Sequence, residues 1–198
     1  PPSADDRVQV EDQREVLAFL VDAANWCPAG GPVQHIETHG AHVFIGRDRV
    51  VKIKRAIRYA YMDFSTLEKR RAACEREIAV NRDNAPTIYL GTIPITRDAS
   101  GQLAIGGIGT PVEWAVEMRP FDQSALLSRM ITEAPLDPRL VKKLAAAIIN
   151  AHARASSAVA KDLPSRNRRL VSDLMVEMKR LASPELASRA AEFDALAL

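Results

Sequence analysis

Hydrophobic residues recur with two different spacings in the first part of the chain. Over residues 12–26 they lie three and four positions apart, which predicts an amphipathic helix. Proline and glycine at 27–32 end this helix in a turn. Residues 33–54 instead form three short runs rich in β-branched residues, with glycine in the breaks between them. These runs predict three consecutive antiparallel strands.

A second helix is predicted from Thr66 to Arg82. Ser65 and Glu68 have the spacing of a capping box, in which two side chains satisfy free backbone N–H groups at a helix start. The sequence Asn-Ala-Pro at 84–86 ends the helix. This helix therefore interrupts a series of strands.

Three more strands and then four helices complete the pattern. The strands are predicted at 88–96, 102–107 and 112–118. The helices are predicted at about 123–132, 138–156, 168–182 and 184–197.

The order of these elements predicts an α+β fold with a helical extension, a sheet-containing lobe, a short connection and a helical region. These parts are assigned to 1–32, 33–118, 119–121 and 122–198. Because no capping signal precedes Leu198, we expect the chain to be part of a longer polypeptide.

Composition and charge argue against several classes of protein. The chain of 198 residues is 47% hydrophobic and 26% charged, with a formal net charge of +2, which argues against a dedicated nucleic-acid binder. No apolar run approaches the ~18 residues of a membrane span, and the N-terminus lacks a signal-peptide pattern. Cys27 and Cys74 lie far apart without metal-ligand spacing, so we expect free thiols in the cytoplasm.

Two lysines in an apolar strand are the first candidate for chemistry. Lys52 and Lys54 lie two positions apart and therefore project from the same face of the strand. They are either solvated lysines that protect an edge strand or part of an anion site like the phosphate-binding lysine of kinases. In the kinase pattern an apolar residue precedes the lysine by two positions. Val50 satisfies this condition for Lys52, which is therefore preferred over Lys54, and both Val50 and Lys52 are assigned to nucleotide binding.

The helix predicted at 66–82 should supply an acidic partner for this lysine. Glu75 has Arg71 four positions before it and so has a local partner on its own helix. Glu77 has no such partner and can reach a lysine elsewhere. We therefore predict a Lys52–Glu77 ion pair, with a solvated Glu77 as the alternative.

Other features of a nucleotide site are weaker on their own. Gly40, in the turn between the first two strands of the predicted sheet, would let backbone N–H groups approach phosphate closely, although a plain hairpin explains it equally well. Met118 and Phe121 flank the connection to the helices and could contact adenine or form interlobe core. The histidines at 35, 39 and 42 lack acidic or cysteine partners at ligand spacing, so no metal site is predicted.

Several long runs of sequence resemble one bacterial family. DFSTLEKRRAACEREIAVNR, YLGTIPIT and PVEWAVEMRPF are similar to the N-terminal portion of bifunctional aminoglycoside phosphotransferase/ATP-binding proteins, and the resemblance covers residues 33–155. It implies a protein-kinase-like fold, with an antiparallel N-lobe sheet, an αC-type helix and the beginning of an all-helical C-lobe. It also implies phosphoryl transfer from ATP and Mg²⁺ to a hydroxyl of a small molecule. Carried over, Lys52 binds phosphate, Glu77 is its partner and 118–121 is the hinge.

The resemblance stops before the catalytic residues of the family. The family's H-G-D-L-H-x-x-N loop has no counterpart here, and neither does the G-x-x-x-x-G-K-[ST] loop of its second domain. No catalytic residue is therefore assigned, and the Mg²⁺ ligands would lie beyond residue 198. The sequence predicts the ATP-binding part of a small-molecule kinase, inactive by itself and completed by the rest of its polypeptide. The alternatives are a pseudokinase-type nucleotide-binding module and a protein-interaction module.

Overall fold

The computed structural model describes residues 8–9, 11–59, 61–155 and 163–181. Nine strands and five α-helices are assigned in these ranges. The strands are β1 (Val8–Gln9), β2 (Gln34–Glu37), β3 (Ala41–Ile45), β4 (Val50–Lys54), β5 (Ile57–Tyr59), β6 (Met62–Asp63), β7 (Tyr89–Arg97), β8 (Leu103–Ile105) and β9 (Thr110–Met118). The helices are α1 (Arg14–Val21), α2 (Leu67–Asn81), α3 (Leu127–Glu133), α4 (Pro138–Arg154) and α5 (Leu163–Leu181).

Six of the strands form one antiparallel sheet in the order β2-β3-β4-β9-β7-β8. β4, the strand with the two lysines, lies in the interior of this sheet between β3 and β9. The alternative that these lysines protect an edge strand is therefore wrong. Residues in a strand point alternately to the two faces of the sheet, so β4 contributes Val51 and Ile53 to one face and both lysines to the other.

The first face of the sheet packs against α1 and the short 3₁₀ turn that follows it. Leu20 of α1 and Trp26 after the turn are buried against Phe44, Val51 and Ile53 of the sheet. The indole Nε1 of Trp26 donates to the Leu20 carbonyl at 2.8 Å, which satisfies its buried polar group. The predicted N-terminal helix is confirmed, and its apolar stripe covers one face of the sheet.

The second face packs against α2. Cys74 and Ile78 of the helix are buried with Val50, Val116 and Met118 of the sheet. Burial raises the pKa of the Cys74 thiol to about 12. α2 is thus fixed along one side of β4 and β9, over the face from which the lysines project.

The start of α2 differs in one residue from the prediction. Thr66, and not Ser65, is the N-cap, and its side chain accepts from the backbone N–H of Lys69. Ser65 instead donates its hydroxyl to Asp63 at 2.5 Å. Asp63 and Lys69 hold the Ser65 side chain beside the helix start, so the next hydroxyl along the chain makes the cap.

A second, three-stranded sheet was absent from the sequence prediction. β1, β5 and β6 pair in the order β1-β5-β6, all antiparallel. With two or three residues each, these strands are too short to show an alternating pattern. Two of its strands, β5 and β6, lie in the segment of chain between β4 and α2.

Beyond residue 121 the described residues form helices, as predicted. α3 and α4 correspond to the predicted helices at 123–132 and 138–156, and Asp137 accepts from the Arg139 N–H at the start of α4. α5 begins earlier than expected, and the predicted helix at 184–197 lies outside the described residues. The chain is α+β. Within the ranges given above, no helix is both long and apolar enough to cross a membrane.

The chain divides into two compact units. Arg7–Ala151 form one, and Pro1–Asp6 with His152–Leu198 form the other. The larger unit contains both sheets and residues on either side of the connection predicted at 119–121. The division into an N-lobe, a hinge and a C-lobe stays a prediction.

Candidate anion site on the sheet face that carries α2

Two lysines and one glutamate form an ion cluster between β4 and α2. The Lys52 ammonium lies 2.8 Å from Glu77 Oε1, and the Lys54 ammonium lies 2.6 Å from Glu77 Oε2. One carboxylate therefore receives a charged hydrogen bond on each oxygen. The side chains of Lys54 and Glu77 are 12% exposed, and that of Lys52 is 25% exposed. The cluster is largely shielded from water, but a ligand in solution can still reach Lys52.

The elements that position this cluster follow from local rules. Lys52 and Lys54 share a face because they are two residues apart in a strand. Glu77 lies on α2 beside the buried residue Ile78 and faces the sheet. Glu75, the rejected alternative, is bound to Arg71 at 2.8 Å on the exposed side of the helix. The structure therefore brings together Lys52 and Glu77, the two residues that the sequence pairs.

The charges of the cluster determine its protonation. Burial would raise the pKa of Glu77, but the hydrogen bonds from Lys52 and Lys54 outweigh burial and lower it. Glu77 is therefore ionised at neutral pH. Two ammonium groups and one carboxylate leave a net charge of +1 in a half-buried site, which favours an anion.

An apolar surface borders the lysines on the same face of the sheet. Val50, two residues before Lys52, lies in register with Met118 on the neighbouring strand β9. Both side chains are buried, with 5% and 9% of their surface exposed. Val43 of β3 is the cross-strand partner of Lys52 and is partly buried against the same cluster. Val50, Met118 and Lys52, all predicted to contact nucleotide, thus lie side by side.

Phe121, the other predicted contact, is 43% exposed, three residues beyond the end of β9. Tyr89 lies at the start of β7, in register with Met118. Its pKa is raised by burial and by the nearby negative charge of Glu77. Tyr89 was not singled out from the sequence, and it places a phenol beside the cluster.

Gly40 lies at the tip of the β2–β3 hairpin. A β-carbon at this position would come within 3.1 Å of both the sulfur and the terminal methyl of Met62 and 3.5 Å of the Phe64 ring. The tip is also closed by hydrogen bonds, since the Thr38 N–H donates to the Ala41 carbonyl and the Arg55 N–H donates to Gly40. The missing side chain thus permits close packing against the small sheet. A contact of this turn with phosphate stays a prediction.

A fully buried ion pair lies near the end of β4, next to the cluster. Arg70 of α2 donates from Nε to both carboxylate oxygens of Glu113 at 2.9 Å. Both residues are only 1% exposed. The same guanidinium also donates to the Glu11 carboxylate at 2.7 Å and to the Phe64 carbonyl at 3.1 Å. This pair ties the start of α2 to β9 and to the segment before α1.

Gln13 extends this network to the lysine strand. Its side-chain amide donates to Glu113 at 2.7 Å and to the Lys54 carbonyl at 2.9 Å. Its oxygen accepts from the Ala56 backbone N–H at 2.7 Å. The network therefore fixes the end of β4 against α2, the two elements that carry the ion cluster.

Lys54 was set aside in favour of Lys52 on the sequence alone, and Arg70, Glu113 and Gln13 were not predicted as parts of the site. Lys54 had a detectable signal, because its spacing from Lys52 placed it on the same face. The other three had none. Charged residues in a predicted helix and strand are ordinarily solvated, and their pairing depends on packing between distant segments.

The histidines of the β2–β3 hairpin interact with neighbouring rings. His35 Nε2 lies 3.1 Å from His42 Nδ1, and the His35 ring stacks on Phe44 at 4.4 Å. His39 stacks on Tyr59 at a centroid distance of 4.6 Å. Among the residues that the structure describes, no group of three His, Cys, Asp or Glu side chains could hold a metal ion.

Proteins of similar sequence exist, but none of those found has a known activity. No protein-family model matches the chain, and no solved structure matches it. Uncharacterized proteins of Mycobacterium bovis and Mycobacterium tuberculosis are 36% identical to it over 96 residues. The match covers 48% of this chain, which spans only 18% of the length of these curated relatives. The function of the site must therefore be argued from its geometry and from the resemblance of the sequence.

Proposed function

We propose that this chain binds ATP on the sheet face that carries Lys52, as the ATP-binding part of an aminoglycoside-phosphotransferase-like small-molecule kinase. The observation that supports the proposal is the Lys52–Glu77 ion pair, 2.8 Å long, beside the apolar surface of Val50 and Met118. A protein-kinase-like fold is part of the proposal. It is supported by the antiparallel sheet, by the helix packed on the lysine strand, and by the helices that follow β9.

The site offers groups for the phosphates and for the adenine of a nucleotide. The Lys52 ammonium supplies a positive charge for a phosphate, and Glu77 fixes the direction of that charge. Val50 and Met118 supply a buried apolar surface for the adenine ring, and Phe121 lies exposed at the end of the same strand. The backbone after Met118 would hydrogen-bond the adenine edge.

Phosphoryl transfer needs further groups that this site does not supply. Mg²⁺ in such enzymes neutralises charge on the transferred phosphate and is held by oxygen ligands. Among the described residues at this site, Glu77 is the only carboxylate bound to the lysines, and both of its oxygens are used. These residues do not fit a Mg²⁺ site. We therefore assign no transfer step to this chain, and we expect the metal ligands and the acceptor site from other parts of the polypeptide.

The first prediction tests nucleotide binding. ATP should raise the melting temperature of the chain, and Lys52→Met should remove this increase, since the substitution removes the phosphate-binding charge and keeps the apolar stem. Lys142→Met is the matched control, because it removes the same charge from an exposed position on α4. Thermal denaturation with and without ATP measures both. Equal stabilisation of the wild-type chain and the Lys52 variant would contradict the proposal.

A protein-interaction module is the second candidate function. It is favoured by α4, where the apolar side chains of Val141, Ile148 and Ile149 are 47%, 56% and 66% exposed. A module of this kind would bind its partner without nucleotide, and Lys52→Met would leave that binding unchanged. Measured for ATP and for the partner, Lys52→Met therefore separates the two functions.

A further inference from the structure

The ion cluster holds one more lysine than a simple lysine–glutamate pair requires. Glu77 has two carboxylate oxygens, and a different ammonium occupies each, at 2.8 Å for Lys52 and 2.6 Å for Lys54. If either lysine left the cluster, the other would keep Glu77 paired. A glutamate with a single lysine partner would lose its partner whenever that lysine turned to a ligand.

The two lysines are held unequally. Lys54 is the less exposed, at 12% against 25%, and it makes the shorter contact with Glu77. Its ammonium also lies 5.5 Å from the centre of the Phe64 ring, at cation–π distance. Its carbonyl accepts a hydrogen bond from Gln13, so its backbone is fixed as well. Lys52, whose side chain is twice as exposed, can reach a ligand at less cost.

We propose that Lys54 is a positioning residue that keeps Glu77 in place, which leaves Lys52 free to bind the phosphates of the nucleotide. This inference rests on the proposed function. Lys54 and Glu77 together are neutral, so the net charge of +1 resides on Lys52. The phosphates then meet one available cation and do not have to break the contact that orients Glu77.

The charge balance predicts how variants behave. Lys54→Met leaves Lys52 alone with Glu77, so the cluster becomes neutral and Lys52 is engaged. The affinity for ATP should fall about tenfold, since the loss of one charged hydrogen bond is of this order. The affinity for adenosine, which carries no phosphate, should stay the same. A Lys54 with only a general structural role would weaken both ligands together.

The double variant Lys54→Met/Glu77→Gln tests whether Lys54 acts through Glu77 or through a contact of its own with phosphate. It removes the positioning lysine and the carboxylate together, so Lys52 again carries an uncompensated charge. Part of the ATP affinity lost in Lys54→Met should return, because Lys52 is released from the carboxylate although Glu77 no longer orients it. In the matched double variant Lys52→Met/Glu77→Gln the remaining charge is on the deeper lysine, and ATP affinity should not return. Calorimetric titration of each variant of the 198-residue chain with ATP and with adenosine measures these differences.

Amine labelling of the wild-type chain provides a test that needs no variant. An acylating reagent followed by mass spectrometry should modify Lys52 faster than Lys54. ATP should protect Lys52 and leave the slow labelling of Lys54 unchanged. If Lys54→Met does not fold, this measurement decides alone. Labelling in which ATP protects Lys54 and not Lys52 would overturn the inference.

The remaining outcomes are distinct. If the wild-type chain binds no ATP, both the proposed function and the role of Lys54 are wrong. If the wild-type chain and Lys54→Met bind ATP equally, the proposed function stands and the role of Lys54 is wrong. If Lys54→Met/Glu77→Gln binds ATP as weakly as Lys54→Met, Lys54 does not act through the charge of Glu77, and its proposed role is wrong.

Discussion

Among the charged residues that the structure describes, Arg70 and Glu113 are the most completely removed from water. A buried charge is tolerated only where its partners replace the lost hydration. Glu113 accepts from Arg70, from Gln13 and from the backbone N–H of Trp114 at 2.9 Å. Each carboxylate oxygen of Glu113 therefore has two donors, which allows the pair to persist beside the apolar side chains of the core.

The removal of one partner of this pair should be costly. Arg70→Met leaves the Glu113 carboxylate buried without its cation, and we expect the free energy of unfolding to fall by about 3–5 kcal/mol. Urea denaturation measures this loss. The double variant Arg70→Met/Glu113→Gln removes both charges and should recover part of it. A double variant that is less stable than the single variant would contradict this account.

The residues of the candidate site show which chemistry a sequence can predict. The choice of Glu77 over Glu75 depended on a local rule, the i,i+4 partner Arg71, and the structure contains that Arg71–Glu75 pair. The preference for Lys52 over Lys54 depended on similarity to a motif, which says nothing about how many lysines one carboxylate binds. Local rules therefore identified the acidic partner, whereas the second lysine required the three-dimensional arrangement.

At the scale of single elements, α2 carries the partner of the lysines, and its start is fixed by one hydroxyl. The Thr66 side chain accepts from the Lys69 N–H and so satisfies one of the free donors of the first turn. The sequence predicted the helix and its approximate start but chose Ser65. Two neighbouring hydroxyl residues satisfy the same pattern, and only the contact of Ser65 with Asp63 decides between them.

Loss of this cap should weaken the helix. Thr66→Ala should lower the free energy of unfolding by about 1 kcal/mol, because the Lys69 N–H loses its acceptor. Thr66→Ser keeps the hydroxyl and is the matched control, expected to be close to wild type. Thermal or urea denaturation distinguishes them. If the alanine and serine variants are equally stable, the hydroxyl of Thr66 makes no cap in solution.

The strands of the large sheet could be predicted, and those of the small sheet could not. β3 and β4 contain runs of apolar residues on either side of a glycine turn, which is a sufficient signal. β5 and β6 have three and two residues, and β1 has two. Such short strands form because neighbouring segments lie beside them. They therefore depend on tertiary contacts, which the local sequence does not show.

At the scale of the whole molecule, the large sheet is covered by a different helix on each face. α1 buries Leu20 on one face, and α2 buries Cys74 and Ile78 on the other. The lysines share the α2 face, so the helix on the opposite face contributes to stability without touching the site. The sequence predicted α1 as an extension of the lobe, but it did not reveal that α1 completes the core.

Two adjacent leucine and valine positions test this role of α1. Leu20 is fully buried, and Leu20→Ala should lower the free energy of unfolding by about 2–5 kcal/mol through the cavity it leaves. Val21 is 55% exposed, and Val21→Ala should change the free energy of unfolding by no more than about 0.5 kcal/mol. Chemical denaturation of the two variants measures the difference. Equal losses would mean that α1 does not pack on the sheet as described.

The hydrogen bond from Gln13 to Glu113 joins residues 100 positions apart in the chain, and the Arg70–Glu113 pair joins residues 43 apart. Contacts across such distances require the closure of long loops, so they form after the local hairpins during folding. Interactions that form late mainly slow the return to the unfolded state. We therefore expect the buried network to slow unfolding, and so to lengthen the lifetime of the folded protein, more than it speeds folding.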